Sequence, residues 1–112
     1  MSVLSTTVIE VKPGRWHDFL TVMQRSKHAL EKHGATSYRL IVGVAAGHAS
    51  GTAVAVWEAD DWVHYGQVEQ GFFDDPEGVE LLMASRSPEG PTMSWQNSIF
   101  ADVPLEDWAQ SG

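Results

Sequence analysis

The chain has 112 residues, 43% of them hydrophobic and 10% aromatic, which is enough for one modest core and leaves no room for a second domain of ordinary size. It contains no cysteine, so disulfides, thiolate nucleophiles and cysteine-based zinc sites are excluded. The net charge of −8 is unevenly spread, because residues 57–112 hold twelve acidic residues and a single basic one. This balance disfavours a nucleic-acid partner, which would need clustered Lys and Arg.

Residues 1–7 do not combine a basic segment with a long apolar run, and no stretch approaches the roughly 18 apolar residues of a membrane span. We therefore expect a soluble, cytoplasmic protein with no membrane partner. A domain this short buries a smaller share of its surface than a larger one does, so it often covers an apolar face with a second copy of itself. A homodimer is the expected assembly.

The first half of the chain predicts one strand, one helix and a hairpin. Residues 3–11 are rich in β-branched side chains and end at Pro13 and Gly14, which predicts a strand. An apolar stripe at helical spacing predicts a helix over residues 15–33, and it consists of Trp16, Phe19, Leu20, Met23 and Leu30, with the stem of Lys27. Residues 36–44 and 52–59 predict two further strands, joined by a small-residue loop that contains His48.

The second half predicts two short helices and a last strand. The pair Asp60-Asp61 and the residue Asp75 are N-cap candidates for helices over residues 61–70 and 76–86, and the inward face of the latter is predicted to be Val79, Leu82 and Met83. Residues 92–103 are predicted to form the final strand. We predict a single domain over residues 1–103, followed by a C-terminal arm over residues 104–112 in which Leu105 and Trp108 dock.

The predicted order is β-α-β-β-α(α)-β, the split βαβ pattern of the α+β class. It implies a ferredoxin-like fold, in which a four-stranded antiparallel sheet has helices on one face. The other face then needs a cover, and a second subunit packed through that sheet face is the obvious candidate.

Three segments resemble the dimeric α/β-barrel superfamily over roughly residues 3–103. They are Val11-Lys12-Pro13-Gly14 before the first helix, His33-Gly34-Ala35 before Tyr38-Arg39-Leu40, and Val56-Trp57-Glu58-Ala59-Asp60-Asp61-Trp62. The superfamily includes antibiotic-biosynthesis-type monooxygenases, haem-degrading monooxygenases and NIPSNAP-like proteins. The resemblance implies a dimer with an apolar or aromatic ligand between sheet and helices. The haem-degrading branch has an Asn in the first strand, a Trp in the third strand and a His on the following helix. In this chain Trp57 and His64 can stand at the Trp and His positions, whereas Ser5, Thr6 and Thr7 stand where the Asn would be.

Several residues are candidates for a site. His64 is the candidate catalytic base, or an axial ligand, because an imidazole titrates near neutral pH, although a solvated helix histidine would look the same. The candidate ligand-binding residues are aromatic walls and polar anchors, namely Trp57, Trp62, Tyr65, Trp95, Arg39 and Asn97. The aromatic residues could equally be core, and Arg39 could instead pair with Glu58 across the hairpin. No spacing typical of a metal site, a P-loop or a nucleophile elbow occurs.

Three functions follow from these residues and the resemblance. The leading hypothesis is a cofactor-independent monooxygenase that orients an electron-rich aromatic substrate and helps to deprotonate it. The first alternative is a non-catalytic ligand-binding or stress-associated dimer. The second alternative is a haem-binding or haem-degrading protein. No cofactor is expected under the leading hypothesis, and haem is left open as the cofactor of this second alternative.

Overall fold

The computed structural model describes residues 1–43 and 52–106 of the chain. Within them lie four strands and three helices, namely β1 Val3–Val11, α1 Trp16–Lys32, β2 Ser37–Val42, β3 Thr52–Ala59, α2 Trp62–Asp74, α3 Pro76–Arg86 and β4 Thr92–Ala101. The predicted order of elements is confirmed. The predictions for His48 in the hairpin loop and for Trp108 in the C-terminal arm lie outside the described residues.

The four strands form one antiparallel sheet in the order β2-β3-β1-β4. β1 lies between β3 and β4, with Ser5 opposite both Trp57 and Ile99. The pairing of β1 with β4 shifts by one position between Glu10 and Val11. The α+β class and the four-stranded ferredoxin-like sheet are therefore confirmed.

The helices cover one face of the sheet, and the core lies beneath them. Alternate residues of β3 point toward the helices and are buried, as a strand with one covered face requires. They meet the apolar stripe of α1, in which Phe19, Met23 and Leu30 are buried. The predicted stripe of α1 is wrong at Leu20, which is 47% exposed, because Ser26 and Ala29 complete the buried face instead.

A close helix contact sets the rotation of α3. The carboxylates of Asp61 and Asp75 accept backbone N–H hydrogen bonds at the starts of α2 and α3, as predicted. Gly78 packs so tightly on α2 that a Cβ there would lie 1.9 Å from the Phe72 carbonyl oxygen. This contact turns Leu81 into the core and leaves Val79 and Met83 exposed, so the predicted inward face is correct only for the half-buried Leu82.

The second face of the sheet carries apolar side chains that no described helix covers. The alternation places Leu4 and Val8 of β1 on this face, with Ile41 of β2 and Phe100 of β4 in register beside them. Val8, Ile41 and Phe100 are 43%, 48% and 57% exposed. We call this surface the bare sheet face.

None of the helices in the described ranges has the length and apolar content needed to cross a bilayer.

Candidate functional site

A groove runs between the helix side of β1 and β4 and the helices α2 and α3. It exists because β4 is an edge strand whose helix-side residues Trp95, Asn97 and Ile99 extend beyond the cover of the helices. Two adjoining hollows, of about 120 Å³ and about 260 Å³, make up the groove. The residues that line both hollows are Thr7, Leu30, Trp57, Phe72, Leu82 and Arg86, while Trp95 lines the first and Ser5, Glu69 and Asn97 line the second.

Aromatic rings form the walls of the groove. Trp57 of β3 is buried and stacks on Tyr65 of α2, with ring centroids 4.7 Å apart and planes 3° apart. Trp95 stands on β4, 41% exposed, and Phe72 of α2 lies in the wall between them. Flat rings with one open side present the kind of surface on which a planar ligand stacks.

A chain of hydrogen-bonded polar groups crosses the floor of the groove. The Asn97 amide donates to Ser5 Oγ and to Thr7 Oγ1, each at 2.9 Å, and lies 3.4 Å from the Thr6 carbonyl oxygen. Ser5 is buried at an inward position of β1, close to the phenol of Tyr65. Within the described residues the Asn97 side-chain oxygen accepts no hydrogen bond, so it is available to a ligand donor.

The phenol of Tyr65 lies near both Ser5 and the Glu69 carboxylate. Burial raises the pKa of Tyr65, the polar Ser5 side chain partly opposes that rise, and the nearby Glu69 carboxylate adds to it. The phenol therefore stays protonated at neutral pH. Glu69 lines the second hollow, whereas the phenol of Tyr65 is buried behind Trp57 and lines neither hollow.

Arg86, the last residue of α3, brings a positive charge into the same groove. Its guanidinium carbon lies 5.0 Å from the centroid of the Trp95 ring, a cation–π contact. Burial lowers the pKa of Arg86, although an arginine remains charged at neutral pH. The ion pairs of the described residues do not include it.

His64 lies outside the groove, and its ring binds backbone groups. Its Nδ1 accepts the Asp60 N–H at 2.9 Å, which leaves Nε2 to donate to the Gly34 carbonyl oxygen at 2.8 Å. Both nitrogens thus tie the start of α2 to the segment between α1 and β2. The catalytic role of His64 stays a prediction. The two hydrogen bonds of its ring give it a structural role.

Arg39 and Trp62 are also separate from the groove. Arg39 lies on β2 at the far edge of the sheet, opposite Val56, on the side of the bare sheet face. The predicted pair with Glu58 does not form, because the register puts Ser37 opposite Glu58 and Ser37 Oγ donates to its carboxylate at 3.4 Å. Trp62 is 55% exposed and touches Tyr65 edge to face, with centroids 6.2 Å apart.

The structure therefore brings Trp57, Trp95 and Asn97 together with Tyr65 behind them. It adds groove residues that the sequence patterns did not indicate, namely Ser5, Thr7, Glu69, Phe72 and Arg86. Two of these left a signal in the sequence. Ser5 interrupts the apolar alternation of β1, and Arg86 is the single basic residue of an acidic half-chain.

The residues present do not suit an imidazole-bound haem or a clustered metal site. No histidine is among the described residues that line the groove. Across residues 1–43 and 52–106, no three His, Asp or Glu side chains converge as a set of metal ligands.

Comparison with known proteins places the fold. No family model and no curated protein matches the chain. Solved structures match along most of its length. A NIPSNAP family protein of unknown function from Agrobacterium tumefaciens is 15% identical, with 93% of each chain covered and a TM-score of 0.68. This chain has the ferredoxin-like fold of such proteins.

Two further matches are proteins named for an activity. The cofactor-independent oxygenase SnoaB from Streptomyces nogalater is 14% identical, with 90% of this chain and 92% of that chain covered and a TM-score of 0.69. An antibiotic biosynthesis monooxygenase is 12% identical, with 91% and 99% covered and a TM-score of 0.68. At these identities the ferredoxin-like fold is shared, while the activities belong to those proteins.

Proposed function

We propose that this protein is a homodimer that binds a flat aromatic molecule in the groove and oxidises it with dioxygen without a cofactor. The observation that carries the proposal is the convergence of stacked aromatic walls and a continuous polar chain on one open groove. The fold shared with a cofactor-independent oxygenase supports it. A ligand could stack between Trp57 and Trp95 while its polar groups reach Asn97 and Glu69.

The proposed chemistry needs only proton transfer and orientation from the protein. The Asn97 oxygen accepts a hydrogen bond from a ring hydroxyl and fixes the position of the substrate. The Glu69 carboxylate takes a proton from an activated CH2 group, and the resulting electron-rich anion reduces dioxygen. The substrate supplies all the electrons, so that CH2 and O2 become C=O and H2O. In this proposal Tyr65 holds Glu69 and Ser5 in place through its phenol.

The homodimer is proposed from the bare sheet face. Its apolar side chains Leu4, Val8, Ile41 and Phe100 lie on one side of a single sheet without a described cover. Burial of such a face against a second copy removes apolar area from water and stabilises both copies. Sedimentation equilibrium should give twice the chain mass, and a charge placed there by Val8→Lys should shift the protein to monomer.

A non-catalytic ligand-binding dimer is the second candidate. It is favoured by one observation, that the phenol of Tyr65 is buried behind Trp57 rather than lining either hollow. On that account the polar chain holds β4 against β1 and α2, and the groove only stores a ligand.

Oxygen uptake distinguishes the two candidates. Metal-free protein is mixed with a panel of polyhydroxylated aromatic compounds, and uptake is followed at an electrode with product analysis. The monooxygenase proposal predicts turnover with at least one compound, and a fall of about 100-fold in kcat for Glu69→Gln, as expected for loss of a base. Glu31→Gln on the exposed side of α1 is the matched control. Saturable binding without uptake across the panel would favour the storage account.

A further inference from the structure

The geometry points to an anionic aromatic compound as the groove's ligand, with Arg86 as the anchor for its acidic group. This inference rests on the proposed function, because it names the chemical class of molecule that the proposed groove takes. It adds a charged end to a site otherwise described by stacking and neutral hydrogen bonds.

Arg86 is the single basic residue among the twelve acidic ones of residues 57–112. Arg15, Arg25 and Lys32 each have an acidic partner within 3.4 Å. Arg86, like Lys12, Lys27 and Arg39, has none within 4.0 Å among the described residues, and of these four it is the one that lines the groove. Its charge is thus uncompensated by the part of the chain that the structure describes.

Arg86 also borders the space that a ligand would fill, because its side chain lines both hollows and carries a planar fork of N–H donors. The Trp95 ring, whose centroid lies 5.0 Å from the guanidinium carbon, holds the group beside the groove while leaving its edge donors free. A guanidinium that meets a carboxylate forms a charge-assisted hydrogen bond, which is stronger than one between neutral groups.

Glu69 sets the orientation of the ligand. Glu69 is the acidic residue among those that line the hollows, and it stands beside Tyr65 on α2. Its carboxylate repels an anionic group and accepts from a hydroxyl. An aromatic acid therefore fits with its carboxylate, or an equivalent acidic group, at Arg86 and its hydroxyl-bearing end toward Glu69 and Asn97.

A matched pair of ligands tests the inference. Naphthalene-2-carboxylate and naphthalene-2-carboxamide have the same rings and nearly the same shape, and only the first is charged at about pH 7. Binding is measured by calorimetry, and the site is located by chemical-shift changes of the backbone and the tryptophan indole N–H groups. The carboxylate should bind about tenfold or more tightly than the amide, as expected for a charge-assisted hydrogen bond.

Variants assign that preference to Arg86. Arg86→Gln should remove it by weakening carboxylate binding about tenfold while leaving amide binding within about twofold, and Arg86→Lys should restore part of it because the charge is kept without the planar fork. Arg25→Gln, an equal charge change on a side chain that pairs with Glu80 outside the groove, should leave the preference unchanged. Backbone amide spectra of each variant report whether it is folded.

Other results would contradict the inference in distinguishable ways. Equal binding of both ligands in the groove, or an equal loss of both in Arg86→Gln, would overturn the role of Arg86 and leave the aromatic groove of the proposed function intact. Absence of any shift at Trp57, Trp95 and Asn97 with either ligand would count against both proposals.

Discussion

On the helix side of the sheet, the inner strand β3 and the edge strand β4 differ in how far the helices cover them. On β3, Ala53 and Ala59 are fully buried beneath the helices, and Trp57 is buried but also lines the groove. On β4, the equivalent alternate residues Trp95, Asn97 and Ile99 remain exposed, although they continue the same surface. The first region is a closed core and the second is an open groove. In one sheet, the covered part of β3 thus contributes mainly to stability, while β4 offers side chains for ligand contact.

Residue chemistry follows the same division. Ala53 and Ala59 of β3 are fully buried, so no space for a ligand is left at these positions. In the groove, the aromatic and polar side chains of β4 and α3 face open space. Stability and binding should therefore respond separately to substitutions in the two regions.

The largest expected difference is between a core ring and a groove ring. Phe19→Ala should lower the free energy of unfolding by about 3–5 kcal/mol, because Phe19 is fully buried and a cavity would remain. Trp95→Ala should cost less than about 1 kcal/mol and should abolish aromatic binding, since the Trp95 ring is 41% exposed. Urea unfolding and naphthalene binding provide the two measurements. Similar unfolding losses for both variants would erase the distinction between core and groove.

Two glycines sharpen the comparison through opposite signs. Gly78→Ala should destabilise the protein by about 1–3 kcal/mol, because its Cβ would lie 1.9 Å from the Phe72 carbonyl oxygen. Gly66→Ala lies in the interior of α2, where the added methyl group would meet nothing within 4 Å beyond its own stretch of helix, and it should stabilise the protein by about 0.5–1 kcal/mol through helix propensity. Thermal unfolding of both variants is the measurement, and a gain at position 78 would show that the α2 and α3 contact is loose.

A histidine substitution tests whether the site is the groove or the start of α2. His64→Ala removes the hydrogen bonds to the Asp60 N–H and the Gly34 carbonyl oxygen, and it should cost about 1–2 kcal/mol of stability. Aromatic binding should be unchanged, because His64 does not line the groove. A variant of wild-type stability with no oxygen uptake would instead assign the catalytic role to His64.

The smallest expected effect is a pH dependence at the start of α3. Hydrogen bonds from His33, then from Lys32 and the Glu77 N–H, lower the pKa of Asp75 from 3.8 to about 2. A carboxylate with a lowered folded-state pKa stabilises the fold above its unfolded pKa, and that contribution is lost as the pH falls from about 4 toward 2. The stability difference between wild type and Asp75→Asn, from urea unfolding, should shrink over this interval. A constant difference would contradict the assigned contacts.

Local patterns predict much of this fold. The bounds of β1 follow from its β-branched residues and from Pro13 and Gly14, and those of β3 from its own β-branched residues. The acidic caps mark the starts of α2 and α3. The inward face of α3 does not follow, since it depends on how closely Gly78 meets Phe72 after the helices pack. Contacts across space are absent from a one-dimensional pattern.

The candidate site was predictable only where it depends on local patterns and not on contacts between distant residues. Strand alternation places Trp95 and Asn97 on the same face of β4, whereas the position of Trp57 on that face depends on the register of β3, β1 and β4. The bond between Asn97 and Ser5 joins residues 92 positions apart and depends on the β1–β4 register. His64 resembled a catalytic base by type and neighbourhood, but the turn between α1 and β2 supplies the carbonyl that binds its ring.

The central claim is that ligands bind the groove beneath β4, and a ligand-bound structure tests it most directly. Crystals of the protein grown with naphthalene-2-carboxylate should show the rings between Trp57 and Trp95 and the carboxylate against Arg86. Ligand density on the bare sheet face or beside His64, with an empty groove, would contradict the account.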